Sequence, residues 1–123
     1  MDKKNIVVLE DDRHIAKLLE FKLSSVGYNI KWFESPENVL DHISLDRPDL
    51  IISDVMMPYQ NGIDFLKIVK ANEDVKDIPV ILLTALGHEE SVIKGLDAGA
   101  TDYITKPFST AELMLRVKKA LIS

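Results

Sequence analysis

The sequence contains no cysteine and no long hydrophobic run. Without cysteine, the chain can form neither disulfides nor thiolate metal sites. Its first residues, MDKKNIVVLEDD, hold only four consecutive apolar positions, Ile6 to Leu9, before charged residues return. Such a run is too short for a signal peptide or a membrane span, so we expect a cytoplasmic protein with no membrane contact.

Linkers, repeats and low-complexity segments are also lacking. The 123 residues are therefore predicted to form a single domain, 1–123, which is long enough to bury a hydrophobic core. The formal net charge of −5 at pH 7 is unfavourable for contact with a phosphate backbone. We therefore expect no direct nucleic-acid binding by this domain.

Short apolar runs alternate with segments of helical period along the chain. Runs rich in β-branched and aromatic residues are predicted to be strands, at 5–9, 28–33, 49–53, 78–84 and 102–106. Helices are predicted at about 13–26, from Pro36 onward, at about 62–72, at about 88–98, and after Ser109. Ser35 is placed at an N-cap with Pro36 at the first helical position, and Ser109 and Glu112 have capping-box spacing. Strict alternation predicts a parallel sheet covered on both faces.

The apolar character of each strand predicts its place in the sheet. The first, third and fourth strands are apolar almost throughout, as central strands are, whereas the second alternates polar and apolar residues like an edge strand. With right-handed crossovers, these features favour the strand order 2-1-3-4-5. The predicted fold is a three-layer α/β sandwich of the flavodoxin type, with five parallel strands and five helices. Ligands bind such sheets in the crevice at the carboxyl ends of the strands.

Polar residues follow four neighbouring strands at this predicted crevice. They are Glu10, Asp11 and Asp12 after the first strand, Asp54 at the end of the third, Thr84 and Ala85 at the end of the fourth, and Lys106 and Pro107 at the end of the fifth. Crowded carboxylates repel one another, which would raise their pKa values unless a cation lies among them. Oxygen ligands favour a hard cation, Mg²⁺ or Mn²⁺. The lysine and the hydroxyl suit a phosphoryl group, so the residues indicate phosphoryl chemistry with Asp54 as the nucleophile.

Four motifs in this order resemble the receiver domain of two-component response regulators, such as the single-domain chemotaxis regulator. They are IVVLEDD, DLIISDVMMP, PVILLTA and GATDYITKPF, and the resemblance extends over the whole chain. It implies a signalling switch rather than a turnover enzyme. It further implies that Asp54 accepts a phosphoryl group from the phosphohistidine of a sensor histidine kinase or a phosphotransfer domain.

The resemblance also implies a role for each residue of the crevice. It makes Asp11 the main carboxylate ligand of Mg²⁺, together with Asp54, with Glu10 acting mostly through water and Met56 through its backbone carbonyl. Thr84, Lys106 and the backbone N–H of Ala85 would hold the phosphoryl oxygens. The Lys106–Pro107 peptide is expected to be cis, and Tyr103 is expected to be an aromatic switch that turns inward when Thr84 moves.

Other interpretations of these residues remain open. Glu10, Asp11 and Asp12 taken alone could be a solvated helix start, which we expect Asp12 to be. A Mg²⁺-dependent phosphatase would also pass through an aspartyl phosphate, but that class places a second acid two residues after the nucleophile, where this chain has Met56. Glycine-rich nucleotide-binding motifs do not occur in the sequence.

Charged residues near the carboxyl terminus suggest a dimer face. In receivers of the winged-helix transcription-factor class, the fourth helix, fifth strand and fifth helix form such a face with reciprocal ion pairs. Asp97 with Lys118 and Asp102 with Arg116 match two of these pairs, while Glu112 matches half of a third whose basic partner is replaced by Val92. A solvated charged surface explains the same residues equally well, because exposed ion pairs contribute little energy individually.

Overall fold

The computed structural model describes residues 3–57, 61–85 and 88–122. Strands and helices alternate in these ranges in the order β1 (Asn5–Leu9), α1 (Arg13–Ser25), β2 (Asn29–Phe33), α2 (Val39–Leu45), β3 (Leu50–Asp54), α3 (Gly62–Ala71), β4 (Val80–Ala85), α4 (Glu89–Asp97), β5 (Asp102–Lys106) and α5 (Thr110–Ile122). All strands and four of the helices lie within two residues of their predicted positions. None of the helices within the described ranges has the length and apolar character needed to cross a membrane.

The sheet has the predicted order, β2-β1-β3-β4-β5, and all of its strand pairs are parallel. β3 is buried at every position and β4 at all but its last, whereas β2 has no buried residue. The strands that are apolar throughout thus occupy the centre, because helices cover both of their faces. The alternating strand lies at the edge, where its polar side chains reach solvent.

Two hydrophobic clusters, one on each side of the sheet, make up the core. The first contains buried side chains of α2 and α3, including Ile43, Phe65 and Leu66, packed on strand residues such as Ile51 and Leu82. The second contains buried side chains of α1 and α5 packed on the opposite face, with Leu19, Leu23, Leu113 and Val117 among them. Helices therefore form two layers around the sheet, which confirms the predicted three-layer α/β sandwich.

The predicted start of the second helix is wrong. Ser35 and Pro36 precede the helix instead of opening it, and α2 begins only at Val39. The Val39 N–H donates to the Pro36 carbonyl over 3.1 Å, which closes a turn, and Asn38 then adopts a left-handed backbone with φ of 68°. A helix cannot run continuously through that conformation, which asparagine tolerates better than most residues.

The other helix ends follow the sequence signals. Asp12 is the N-cap of α1, and its carboxylate accepts hydrogen bonds from the N–H groups of His14 and Ile15 at 2.8 and 3.3 Å. Gly99 follows α4 with a positive φ of 110°, a conformation that favours glycine at a helix end. Ser109 Oγ accepts from the Glu112 N–H at 3.0 Å, so the predicted cap of α5 is formed.

Candidate functional site

The parallel sheet brings the ends of four strands to one edge. Glu10 follows β1, Asp54 ends β3, Thr84 precedes the last residue of β4, and Lys106 ends β5. The register sets Asp54 opposite Leu83 of β4. Because β1, β3, β4 and β5 are consecutive in the sheet, residues that are far apart in sequence meet at this edge.

Three carboxylates gather there. Glu10, Asp11 and Asp54 each offer an oxygen, and these oxygens all lie within 4.8 Å of one another. Glu10 is fully buried and Asp54 is 2 % exposed, while Asp11 is half-buried. The Glu10 Oε2 also accepts a hydrogen bond from the Asp12 N–H over 3.1 Å. Asp12 itself caps α1, so its carboxylate is used at the helix start, as expected.

Lys106 places its ammonium between the two buried acids. Its Nζ lies 2.5 Å from Oδ1 of Asp54 and 3.0 Å from Oε1 of Glu10. The contact with Glu10 is an ion pair. The Lys106–Pro107 peptide that follows is cis, as the resemblance implied.

Burial and crowding perturb the ionisation of this group. Burial, and then the neighbouring Glu10, raise the pKa of Asp54 to about 9, although Lys106 opposes the change. Burial by itself would lower the pKa of Lys106, but its hydrogen bond to Asp54 and its proximity to Glu10 outweigh this, so the pKa is raised. Without a metal ion, the site therefore favours a proton on Asp54 at neutral pH.

The arrangement suits a small divalent cation. When all are ionised, the three carboxylates oppose one ammonium, which leaves two negative charges uncompensated. The Glu10 Oε1 and the Thr84 Oγ1 are buried and have no hydrogen-bond partner among the described residues. Mg²⁺ is usually bound by one or two carboxylates together with waters and phosphate oxygens, and a +2 ion would balance the excess charge. The donor set therefore fits the predicted Mg²⁺ or Mn²⁺.

The remaining residues of the predicted site lie around this centre. Met56 follows β3 with its side chain 60 % exposed, and Ala85 is exposed at the end of β4. Tyr103 is half-buried and lines a cavity of about 260 Å³ together with Thr84 and residues of α4. Leu86, which follows Ala85 in the chain, lies outside the described residues.

Three of the predicted dimer-face residues, Asp102, Glu112 and Arg116, form contacts within the chain. Arg116 donates from one terminal nitrogen to both oxygens of Asp102, at 2.8 and 3.0 Å, and its guanidinium lies 5.7 Å from the centre of the Tyr103 ring. Its other terminal nitrogen is 3.6 Å from the Glu112 carboxylate. Asp97 and Lys118 are exposed, and neither forms an ion pair with the residues that the structure describes.

Two residues with contacts at the site were not predicted from the sequence. Trp32 on β2 donates from Nε1 to the backbone carbonyl of Glu10 over 2.7 Å. Gly62 at the start of α3 packs so closely on β3 that a Cβ added there would lie 1.8 Å from the carbonyl oxygen of Asp54. The sequence signals for these contacts are a single tryptophan and a glycine that follows a loop, but neither signal indicates which residue would be contacted.

Comparisons with known proteins agree with this geometry. The family model of the response regulator receiver domain matches residues 6–118. The phosphate regulon transcriptional regulatory protein PhoB of Escherichia coli (strain K12) is 40% identical over 118 residues, which are 96% of this chain and 52% of that protein. The chain thus spans about half the length of the curated relatives it matches.

Solved structures of the same kind superpose closely. The receiver domain of the Francisella response regulator 1452 has a TM-score of 0.88 at 36% identity, with 98% of each chain covered. The receiver domain of sensor histidine kinase PA1611 from Pseudomonas aeruginosa PAO1 has a TM-score of 0.89 at 27% identity, covering 99% of this chain and 100% of the other. That structure is described as having a magnesium ion coordinated in its active site cleft.

Proposed function

The chain belongs to the response regulator receiver domain family, and from this premise we propose that it is a phosphorylation switch with Asp54 as the phosphoacceptor. The observation that carries the proposal is the meeting of Glu10, Asp11 and Asp54 within 4.8 Å, beside the Lys106 ammonium. A receiver domain is a signalling domain, so the reaction serves to change its state and not to release a product continuously.

The chemistry begins with an oxygen of the Asp54 carboxylate. This oxygen attacks the phosphorus of a phosphohistidine, the bond between phosphorus and the imidazole nitrogen breaks, and an acyl phosphate forms on Asp54. The imidazole leaves with the electron pair of that bond and takes up a proton. Asp54 must be ionised to attack, so its raised pKa favours a state that is not yet reactive.

A divalent cation would be held by Asp11, Asp54 and the Met56 carbonyl, with Glu10 acting mostly through water. When bound, it would neutralise charge on the phosphoryl oxygens and favour the ionised form of Asp54. The magnesium ion in the PA1611 receiver supports Mg²⁺ as the physiological choice.

The other polar groups would bind the phosphoryl group itself. Lys106 already lies 2.5 Å from Asp54 and would move its ammonium to a phosphoryl oxygen. The hydroxyl of Thr84, which has no hydrogen-bond partner among the described residues, would donate to another oxygen, and the N–H of Ala85 to a third. Movement of Thr84 toward the phosphoryl group would open space for Tyr103, which shares a cavity with it. The change at the site would then reach the α4–β5–α5 surface.

A turnover phosphatase is the second candidate, and the structure offers it little support. A general acid is needed to protonate the leaving group in that class. The residue two positions after Asp54 is Met56, whose exposed thioether side chain holds no transferable proton. We therefore favour the switch.

The partners follow from this function. The donor would be a sensor histidine kinase or a phosphotransfer domain. The output would pass through a second copy of the chain, joined by the α4–β5–α5 surface, or through further segments of a longer protein such as the relative PhoB, which is a transcriptional regulator by name.

Phosphoryl uptake by Asp54→Asn tests the proposal. The amide keeps the size of the side chain but is not a nucleophile, so the variant should gain no mass when it is incubated with acetyl phosphate and Mg²⁺. Intact-mass spectrometry should detect one added phosphoryl group on the wild type and on the control Asp12→Asn, which keeps the cap of α1. Uptake by Asp54→Asn at the wild-type level would place the acceptor elsewhere.

A further inference from the structure

The one tryptophan of the sequence lies outside the acidic site and yet contacts it. Trp32 is the fourth residue of β2, the edge strand, and pairs with Val8 of β1. Its Nε1 donates to the backbone carbonyl of Glu10 over 2.7 Å. That carbonyl belongs to the peptide that joins Glu10 to Asp11, so the indole is bonded to the backbone between two of the clustered carboxylates.

This carbonyl lies just beyond the end of regular strand pairing. The β1–β2 register ends with Leu9 opposite Phe33, and the Glu10 N–H donates to the Phe33 carbonyl over 3.1 Å. In a longer parallel ladder, the Glu10 carbonyl would accept a hydrogen bond from an N–H of β2 beyond Phe33, but β2 ends at Phe33. Glu10 is fully buried, and a buried carbonyl needs a partner. The indole N–H takes the place of the missing ladder bond.

Packing holds the indole in position to donate. Trp32 is half-buried and packs against the core cluster formed by β1, β3, α1 and α5, which also contacts Ile15 and Ile30. The ring is therefore packed against a core that contains residues of α1, α5 and the sheet. As a result, the Glu10 backbone is held through both its N–H and its carbonyl, and the strand end from which Glu10 and Asp11 project has little freedom to turn.

We propose that Trp32 is a positioning residue of the acidic site, whose indole N–H fixes the Glu10–Asp11 peptide and so sets the affinity for a divalent cation. This inference rests on the proposed function, since it concerns the cation that the carboxylates would bind. Groups that orient metal ligands without touching the metal commonly change affinity by about 10–100-fold when they are removed. Because the substitution removes only one hydrogen bond to the backbone, we expect a loss of affinity near the lower end of this range.

The test compares Trp32→Phe with Tyr28→Phe. The first keeps an aromatic ring but removes the N–H, and the second removes a hydroxyl from another aromatic residue that packs against the same cluster. Mg²⁺ dissociation constants are measured from two-dimensional ¹H–¹⁵N spectra, and melting temperatures are measured separately in EDTA. Trp32→Phe should bind Mg²⁺ about 10-fold more weakly, whereas Tyr28→Phe should bind it like the wild type.

The wild type supplies an independent readout. With one tryptophan in the chain, the indole N–H gives one side-chain resonance, which should shift as Mg²⁺ is added and should saturate with the backbone signals. The shift should be lost in Asp11→Ala. If Trp32→Phe fails to fold, benzothienylalanine at position 32 replaces the N–H by sulfur in a ring of the same shape, and the same weakening is expected.

The outcomes separate this inference from the proposed function. Suppose that the wild type binds Mg²⁺ and Trp32→Phe binds it equally well, even with a lower melting temperature. Trp32 would then be a packing residue, and this inference would be overturned while the proposed function stands. A wild type that binds no Mg²⁺, or an Asp11→Ala variant that binds it normally, would overturn the inference and the proposed cation site together.

Discussion

The Lys106 ammonium lies 2.5 Å from the Asp54 carboxylate, at the ends of two strands that β4 separates in the sheet. The same ammonium lies 3.0 Å from Glu10, so a single positive charge serves two buried acids. Burial, and then the neighbouring Glu10, therefore keep the pKa of Asp54 high even beside a lysine. It also gives the metal-free protein a measurable dependence on pH.

In EDTA, the stability advantage of Asp54→Asn over the wild type should grow as the pH rises from 5 to 8. The pKa of Asp54 is about 9 in the folded chain against an ordinary value of 3.8, so between these values the unfolded chain releases a proton that the folded chain keeps. The free energy of unfolding of the wild type therefore falls as the pH rises from about 3.8 to about 9, and this fall is complete above about 9. An asparagine has no such proton, and its amide can donate to Glu10 and accept from Lys106. Between pH 5 and pH 8 this advantage should grow by roughly 4 kcal/mol, since each pH unit within the window changes it by about 1.4 kcal/mol.

Urea unfolding at several pH values measures this difference. Asp64→Asn, which changes an exposed carboxylate of α3, is the control and should show no comparable trend. A constant difference between Asp54→Asn and the wild type from pH 5 to pH 8 would mean that Asp54 is ionised in the metal-free fold.

Mg²⁺ should stabilise the unphosphorylated protein. Glu10, Asp11 and Asp54 repel one another, and an ion bound only to the folded state raises the free energy of unfolding by mass action. At ten times the dissociation constant the gain is about 1.4 kcal/mol, and most of it should vanish in Asp11→Ala. Thermal melts with and without Mg²⁺ measure it. An unmoved wild-type melting curve at millimolar Mg²⁺ would rule out the cation site.

Gly62→Ala should destabilise the fold and slow phosphoryl uptake. The Gly62 N–H donates to the Val55 carbonyl over 2.7 Å, and an added Cβ would collide with the Asp54 carbonyl oxygen, which belongs to the backbone and cannot rotate away. Overpacking of this kind costs about 1–3 kcal/mol, and here the shift would fall on the strand end that carries Asp54. Asp64→Ala in the same helical turn is the control. A Gly62→Ala variant with wild-type stability and uptake would show that α3 can move away without disturbing the site.

The strand order and the meeting of Glu10, Asp54, Thr84 and Lys106 were predictable because they follow from strand composition. Runs that are apolar on both faces belong in the centre of a parallel sheet, and the ends of neighbouring strands must then meet. The start of α2 was not predictable, because the left-handed backbone of Asn38 overrides an ordinary cap signal at Ser35.

The contacts of Trp32 and Gly62 also could not be predicted from the sequence. They join segments that are distant in the chain, and a motif carries no information on which carbonyl an indole will reach or how closely a helix approaches a strand. The same holds for Arg116, whose residue type matched a pair between subunits but whose guanidinium bonds Asp102 of its own chain.

Phosphorylation should promote a homodimer through the α4–β5–α5 surface, with Asp97 of one copy paired to Lys118 of the other. Both side chains are exposed and form no ion pair within the part of the chain that the structure describes. Asp97→Lys alone should weaken the dimer, and adding Lys118→Asp should restore it, because the double change exchanges the charges. Sedimentation velocity with acetyl phosphate and Mg²⁺ measures the association. Failure of the double variant to recover would remove this pair from the interface.

The last prediction concerns how long the phosphoryl group persists. Its loss requires a water molecule in line with the bond to Asp54. The resemblance to receiver domains implies that the residues two positions after Asp54 and two positions after Thr84 flank that approach, and in this sequence they are Met56 and Leu86. Both are apolar, so neither can hydrogen-bond the attacking water, and alignment of the nucleophile supplies much of the rate of such a reaction. Met56→Asn with Leu86→Glu should therefore speed the decay, and Met56→Asn alone should give part of the effect. Decay is followed by intact-mass spectrometry after the phosphodonor is removed, with Met56→Leu as the apolar control. Equal rates in the wild type and the double variant would mean that another group orients the water, and the persistence of the signal would then have to be set elsewhere in the site.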